Sequence, residues 1–405
     1  MVAVASGASL VGLLARVLVV LAGLAAHWAL RAPRVGGAPG SRAARLLARA
    51  PLVDGHVDTP WLWRAAGRDA AAFAGRGAGA AARAVGCAAG LPPARVDGES
   101  LLAGGAGGVV LASYVPCEGL AEASERARRE AAETVAYALR LVASHPGVLL
   151  LATDAEGVRE AHRQRRVGVL LALEGAHTLG GGGAEALGAF HALGVRVLTM
   201  THNCHTTLGA SCCDASDAVA SDGGGLTAEG EAVVRAANRL GVLLDLSHAS
   251  DGLAAAVLAA SQAPVAWTHA CARALAEHPR NVPDELLRTL KANGGIIMVT
   301  AVPTFLDDKA VRGEGHGVTI ERVADHVQYL CDQVGTRHVG LGSDFDGIAH
   351  APVGLEDASK WPALVEALLA RGMLEADVED IVGGNFLRVL DEAQAVAREL
   401  AASES

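Results

Sequence analysis

His56, Asp58, Glu174, His202, His248, His269 and Asp344 each stand at the end of a short apolar run. These side chains bind divalent cations, and their order along the chain suggests how. In His56-Val57-Asp58 the imidazole and the carboxylate are two residues apart. An extended strand has a side-chain period of two, so both face the same way and can grip one ion. Glu174 has two oxygens and can bridge that ion to a second one. His248 and His269 can hold the second. Each ion then has three protein ligands and an open position, the pattern of a catalytic rather than a structural zinc site. Two ions ~3.5–4 Å apart lower the pKa of a shared water and polarise a carbonyl. Imidazole and carboxylate without thiolate suit zinc, with manganese and cobalt as other candidates. A single histidine at a strand end is more often a hydrogen-bonded structural group. Only the ordered set is specific.

The apolar runs are Pro51–Asp58, Gly107–Tyr114, Gly168–Gly175, Val195–His202, Gly241–His248, Pro264–His269, Gly294–Thr300 and His338–Asp344. They are continuous rather than alternating, as in parallel strands buried on both faces. Amphipathic stretches lie between them, among them Leu120–His145, Thr227–Leu240, Asp251–Ser261 and Thr319–Val334. Thr227 and Ser250-Asp251 are expected helix N-termini. Eight strands alternating with helices predict an α/β fold, a closed (β/α)₈ TIM-like barrel. No dinucleotide glycine fingerprint follows the first strand, which argues against an open doubly wound sheet. In a barrel the strand-end side chains converge on one cavity at the C-terminal face. Gly340-x-Gly342 and Gly180–Gly183 read as tight-turn glycines, because no Lys-Ser/Thr follows them.

The chain has 405 residues, 51% hydrophobic and 19% charged, enough for a large core. Its net charge of −10 argues against nucleic acid as a partner. Leu10–Leu30 is strongly apolar, broken by Arg16 and His27. Residues 1–30 read as a signal peptide or a signal anchor, and Arg16 counts against the anchor. Either reading makes the protein secreted or membrane-anchored, with an extracellular or lumenal catalytic domain that touches a membrane only through this segment. Residues 31–45 read as a linker, 46–395 as the catalytic domain and 396–405 as a polar tail without a GPI signal. Residues 65–90 read as a loosely structured excursion. Seven cysteines contain no Cys-x-x-Cys pair, so a zinc knuckle is not expected.

The chain resembles the membrane (renal-type) dipeptidases. The matching stretches include Pro-Leu-Val-Asp-Gly-His-Val-Asp-Thr-Pro-Trp at 51–61, Leu-Glu-Gly at 173–175 and Leu-Thr-Met-Thr-His-Asn-Cys at 198–204. Others are Gly-Val-Leu-Leu-Asp-Leu-Ser-His-Ala-Ser at 241–250, Arg-Asn-Val-Pro-Asp at 280–284 and Gly-Ser-Asp-Phe-Asp-Gly at 342–347. The resemblance runs from about residue 50 to residue 390. It implies two zinc ions per chain bridged by Glu174, one held with His56 and Asp58 and the other with His248 and His269. It implies that His202 contacts the substrate oxyanion, Arg280 pairs with the substrate C-terminal carboxylate and Asp344 is the acid/base. Glu174, His202 and Asp344 are thus the expected catalytic residues. It also implies a Cys117–Cys204 disulfide and a homodimer. The family's other disulfide has no counterpart, since Ala276 stands at its cysteine position. Pairing of Cys87, Cys212, Cys213, Cys271 and Cys331 stays open. Further departures are Ala176 before His177, His205-Thr206-Thr207 after Cys204, and a Gly209–Gly225 loop that carries Cys212-Cys213.

The expected activity is hydrolysis of dipeptides with a free C-terminal carboxylate, by attack of a metal-bridging hydroxide. The alternatives are another zinc amidohydrolase, such as an N-acyl-amino-acid deacylase, or a surface binding or adhesion ectodomain. Intact ligands argue against the last.

Overall fold

The computed structural model describes residues 40–74, 90–117, 125–214, 225–311 and 317–404. The apolar stretch at 10–30, Cys87, and most of the expected linker and excursion lie outside these residues. Among the described residues, no helix is long and apolar enough to cross a membrane.

Nine strands form one parallel sheet. They are β1 (Leu52–Val57), β2 (Ala106–Tyr114), β3 (Leu149–Leu151), β4 (Val167–Glu174), β5 (Val195–Thr199), β6 (Leu243–Asp245), β7 (Ala266–Ala270), β8 (Ile296–Val299) and β9 (Val339–Leu341). Their order is β1-β2-β4-β5-β6-β7-β8-β9, with β3 paired beside the start of β4. The segment after β9 closes the ring against β1. Val57 and Phe345 form a parallel bridge. The Asp344 amide donates to the His56 carbonyl at 3.0 Å, and the Asp58 amide donates to the Phe345 carbonyl at 2.9 Å. The fold is therefore a closed eight-stranded (β/α)₈ barrel, as the alternation of runs predicts. β3 is an addition that the sequence pattern does not reveal, because three leucines after a helix carry no period.

Helix entries follow side-chain chemistry. Thr227 caps the helix Ala228–Leu240 by accepting from the Gly230 amide at 3.0 Å. Ser250 caps Asp251–Ala260 through the Leu253 amide at 3.1 Å. Both sit at the expected helix starts, and such caps contribute ~1 kcal/mol each. Ser41 caps a helix at Arg42–Arg49, so the last residues read as linker are helical. The final helix, Asn385–Ser403, takes in most of the residues read as a polar tail. It is amphipathic. Phe386, Leu387, Val389, Leu390 and Ala393 bury against one end of the barrel, while the outer face stays polar.

The barrel interior changes character along its axis. Val110, Leu170, Val197, Leu243, Ile296 and Met298 form an apolar cluster with that final helix. Toward the C-terminal ends of the strands come Asp54, Thr199, Asp245, Thr268 and Ser343, all buried and hydrogen-bonded to one another in two sets. Two glycines narrow the barrel at this level. A methyl group on Gly342 would lie 1.8 Å from the Thr268 carbonyl oxygen, and one on Gly55 would lie 2.9 Å from the same oxygen. Only hydrogen lets β1 and the segment after β9 come so close to β7. The pinch brings the His56 and His269 rings to a centroid separation of 3.8 Å.

Gly342→Ala should therefore destabilise the fold by about 1–3 kcal/mol, the usual cost of overpacking a tight core. Gly188, in the middle of the helix Gly183–Ala192, has nothing within 4 Å of an added methyl. Gly188→Ala should stabilise by up to ~1 kcal/mol through helix propensity. Thermal unfolding of both variants checks the pair. Equal midpoints for Gly342→Ala and wild type would sink the pinch.

Candidate metal centre and substrate pocket

Three of the expected ligands sit in strands. His56 lies in β1, His269 in β7, and Glu174 is the last residue of β4. Asp58 follows β1 and starts the helix Thr59–Ala65. His202, His248 and Asp344 are not strand ends, as the apolar runs suggest. They lie three residues beyond β5, β6 and β9. His248 and Asp344 have φ of 68° and 65°, left-handed values that no strand accommodates. The turn re-aims each side chain inward.

Four of the imidazoles meet at one carboxylate oxygen. Glu174 Oε1 is 3.2 Å from His248 Nε2, 3.6 Å from His56 Nε2, and 3.8 Å from both His202 Nε2 and His269 Nε2. Asp58 Oδ2 lies 3.6 Å from His56 Nε2. Three overlapping donor groups result: His56, Glu174 and His269; Glu174, His202 and His248; and His56, Asp58 and Asp344. They draw together every expected ligand, and they cut across the expected division into two sets. The shared Glu174 oxygen is the reason.

The hydrogen bonds fix which imidazole nitrogen faces the centre. Thr268 Oγ1 donates to Asp245 Oδ2 at 2.7 Å, so it accepts from His269 Nδ1–H at 2.9 Å. His248 Nδ1–H donates to Asn203 Oδ1 at 3.0 Å. Both Nε2 atoms then present lone pairs, 3.1 Å apart and beside an anionic oxygen. Burial and the neighbouring cations hold both imidazoles well below the usual histidine range, which keeps them neutral. Burial alone would raise Glu174, but His56 and His202 outweigh it and hold this carboxyl well below its usual value. His56 Nε2 and Asp58 Oδ1 are buried and bond to nothing. Converging imidazole nitrogens, two of them on neutral rings, and a buried carboxylate oxygen without a hydrogen-bond partner fit divalent cations. The residues present can hold two.

Above the ligands opens a cavity of about 660 Å³. Its floor includes Asp58, Glu174, His202, His248 and Asp344, and Val302, Pro303 and Phe305 form an apolar side. Arg280 reaches into it. This residue is 5% exposed, and its Nη1 has no protein partner. Its guanidinium carbon lies 5.1 Å from the Phe305 ring centre, which fixes the plane of the fork. A buried fork with free N–H groups is built for a carboxylate. Burial pushes His202 down to about 4, so its imidazole is neutral. Burial pushes Asp344 up to about 8, which suits a group that carries a proton. Cys117 and Cys204 are joined, with Cα atoms 5.9 Å apart. Cys117 Sγ lies 3.7 Å from His202 Nδ1, so the bridge sets the back edge of that ring.

A profile of the membrane dipeptidase family, peptidase family M19, matches residues 40–404. Dipeptidase verJ of Clonostachys rogersoniana is 34% identical over 89% of this chain and 88% of that protein. The chain belongs to the membrane dipeptidase family. Dipeptidase aclJ of Aspergillus oryzae is 42% identical over 65% of this chain, and the match spans 60% of aclJ, under two thirds of its length. A metallopeptidase from Rhodobacter sphaeroides, solved with a phosphinate mimic of the dipeptide L-Ala-D-Ala, superposes with a TM-score of 0.74 at 27% identity. That superposition covers 85% of this chain and 99% of the other.

In this dipeptidase-family barrel, several residues that strand-end reasoning misses support the ligands. Asp245 accepts from Thr199 Oγ1, Ser247 Oγ, Thr268 Oγ1 and the Ser247 and Thr268 amides. It thereby fixes the hydroxyl that orients His269. Asp54 accepts from the Ser343 amide and hydroxyl at 2.8 and 2.6 Å, tying β1 to the segment that carries Asp344. Asp346 accepts from Thr59 Oγ1 and the Arg95 and Val96 amides, latching that segment to the helix after Asp58. The sequence signal was present: an aspartate two residues before His56 and three before His248. Cys271 and Cys331 are buried and free, and Cys212 and Cys213 are free as well.

Asp245→Asn and Thr268→Val should each weaken metal binding roughly 10–100-fold, the usual effect of removing a ligand's outer partner. Competition against a chromophoric chelator measures this. Affinities within twofold of wild type would show that Thr268 does not orient His269.

Proposed function

We propose that this chain hydrolyses dipeptides with a free C-terminal carboxylate, using two zinc ions. The observation that carries the reading is the joint presence of the Glu174-centred ligand cluster and the buried, unpaired Arg280 fork in one cavity. The relative that holds a dipeptide-like phosphinate supports the substrate class. His56, Asp58 and Glu174 would hold one ion, and Glu174, His248 and His269 the other. Bound there, zinc supplies Lewis acidity, lowering the pKa of water and polarising a carbonyl.

The remaining chemistry belongs to the side chains. Arg280 anchors the terminal carboxylate by charge-assisted hydrogen bonds and so sets the distance to the scissile bond. A neutral His202 can donate to the oxygen of the scissile carbonyl as charge grows there. Asp344 carries the proton to the leaving amine nitrogen. The apolar side at Val302, Pro303 and Phe305 receives the substrate side chains. The Cys117–Cys204 bridge supports export to an oxidising compartment.

Glu174→Gln should abolish turnover and lower the zinc content below that of wild type, as metal analysis and a dipeptide assay will show. A fully active Glu174→Gln enzyme would refute the shared-ligand reading. Arg280→Ala should raise KM at least ~30-fold, from the about 2–5 kcal/mol cost of truncating one member of a buried charge pair. Dipeptide amides lack the carboxylate, so the preference for free acid over amide should collapse in this variant. An unchanged acid-to-amide ratio would remove Arg280 from carboxylate recognition. Acylated amino acids in the same panel separate a deacylase from a dipeptidase.

A further inference from the structure

Cys212 and Cys213 are consecutive, and both are free thiols. They lie in the turn after β5, beyond the Cys117–Cys204 bridge. Their Sγ atoms are 2.8 Å apart, so both thiols point the same way. Cys213 is exposed and lines the cavity together with His202 and Arg280, while Cys212 is half-buried.

The turn is bonded to the metal centre through its backbone. The Cys212 amide donates to the His248 carbonyl at 2.8 Å. The Cys213 amide donates to Ser211 Oγ at 3.1 Å, and Ser211 Oγ donates to the His202 carbonyl at 2.5 Å. Behind the pair, the Ser211 amide donates to His205 Nδ1, and Asp214 accepts from the His205 amide, both at 3.0 Å. Two adjacent thiols on a fixed turn, one of them open to the cavity, form a reactive pair rather than packing residues. Cys271 and Cys331 show the contrast, since each is buried.

We propose that Cys212 and Cys213 form a thiol–disulfide exchange site on the rim of the substrate cavity, which takes small-molecule disulfides and, once closed into a vicinal disulfide, weakens substrate turnover. The Cys213 thiolate attacks one sulfur of R–S–S–R. A Cys213 Sγ–S bond forms, the S–S bond of the reagent breaks, and one R–S⁻ leaves. The Cys212 thiolate then attacks Cys213 Sγ and expels the second R–S⁻. The two thiol protons end on the two leaving thiolates. One protein dithiol and one small disulfide become one vicinal disulfide and two R–SH, with two electrons passing to the reagent.

Closure couples to the site through one peptide. The eight-membered ring contains the Cys212–Cys213 peptide bond, so forming it reorients the Cys213 amide. That amide is the first link of the chain to Ser211 and the His202 carbonyl. The expected effect falls on His202 and the cavity wall, not on the zinc ligands.

The test uses zinc-loaded enzyme and 2-hydroxyethyl disulfide, with phosphine reductant to reverse the reaction. Peptide mass mapping reads residues 212–213 and the Cys117–Cys204 bridge in the same digest. In wild type, the peptide should lose two hydrogens and kcat/KM should fall several-fold, with zinc content constant and full recovery on reduction. Cys212→Ser should stop at a mixed disulfide on Cys213. Cys213→Ser should form no ring, and its ratio of oxidised to reduced kcat/KM should not move. Absence of the ring in wild type overturns the exchange site. A ring that leaves kcat/KM unchanged overturns the coupling to the cavity. The activity arm rests on the dipeptidase reading, but the mass arm does not, so the two can fail separately.

Discussion

One oxygen atom organises this molecule. Glu174 Oε1 has four imidazole nitrogens within 3.8 Å, all in buried or nearly buried side chains. In a low-dielectric interior, lone pairs crowded on an anion repel strongly, and water is not there to screen them. A positive charge at the centre reverses the sign. The same lone pair can take a proton or a metal ion. Without a metal, Glu174 and Asp58 outweigh the burial of His56 and raise it well above the usual imidazole range, so a proton fills the role in part. Two divalent cations held by His56, Asp58, Glu174, His248 and His269 would relieve that repulsion. The site is therefore costly to fold unless it binds something, which links metal affinity to stability.

The rest of the barrel holds that crowd in place. Gly55 and Gly342 let opposite walls approach, and the His56 and His269 rings meet as a result. Asp245 and Asp54 lie buried beside the ligands, where they accept hydrogen bonds from the threonine, serine and backbone groups that hold the ligand segments. Backbone strain is concentrated here too. Among the described residues, four non-glycine residues have positive φ, and His248, Asp344 and Asp346 are three of them. Each costs about 1–3 kcal/mol and persists only where neighbours over-determine it. The Asp346 latch and the Asn203–His248 hydrogen bond are such neighbours.

Much of this was legible in the residues. Parallel barrel strands are buried on both faces, so each appears as an unbroken apolar run, and a polar residue that ends a run stands out. That is why His56, Glu174 and His269 stand out as convergent in the sequence itself. The same logic misplaces His202, His248 and Asp344, because apolar residues continue past the last ladder hydrogen bond into the turn. Met200 and Leu246 are buried yet lie outside any strand, ahead of His202 and His248, and Gly342-Ser343 carry the chain on to Asp344. Arg280 carries no period at all. Its expected role comes only from the resemblance, since a loop arginine has no local signature until the fold buries its fork. Asp245 was hidden for a different reason. A carboxylate inside an apolar run looks like a flaw in a strand, and only its five hydrogen bonds show its use.

The division of labour within the site also constrains how its chemistry can vary. Three of the expected ligands, His56, Glu174 and His269, are carried by strands of the closed ring, where a shift of one residue would break several hydrogen bonds at once. The cavity wall comes largely from the connections: Arg280 after β7, Phe305 after β8, and Cys213 after β5. Loops can change sequence without disturbing the ring. The departures from the family pattern, Ala176, His205-Thr206-Thr207 and Cys212-Cys213, all fall in connections. The ring therefore fixes what bond-breaking chemistry is possible, and the loops decide which substrate reaches it. His202 belongs to both. It shares the Glu174 oxygen with the ligands, yet it sits in the same turn region as the cysteine pair and against the disulfide. Hydrogen bonds from that loop to the His202 and His248 carbonyls connect the cavity rim to the ligand cluster.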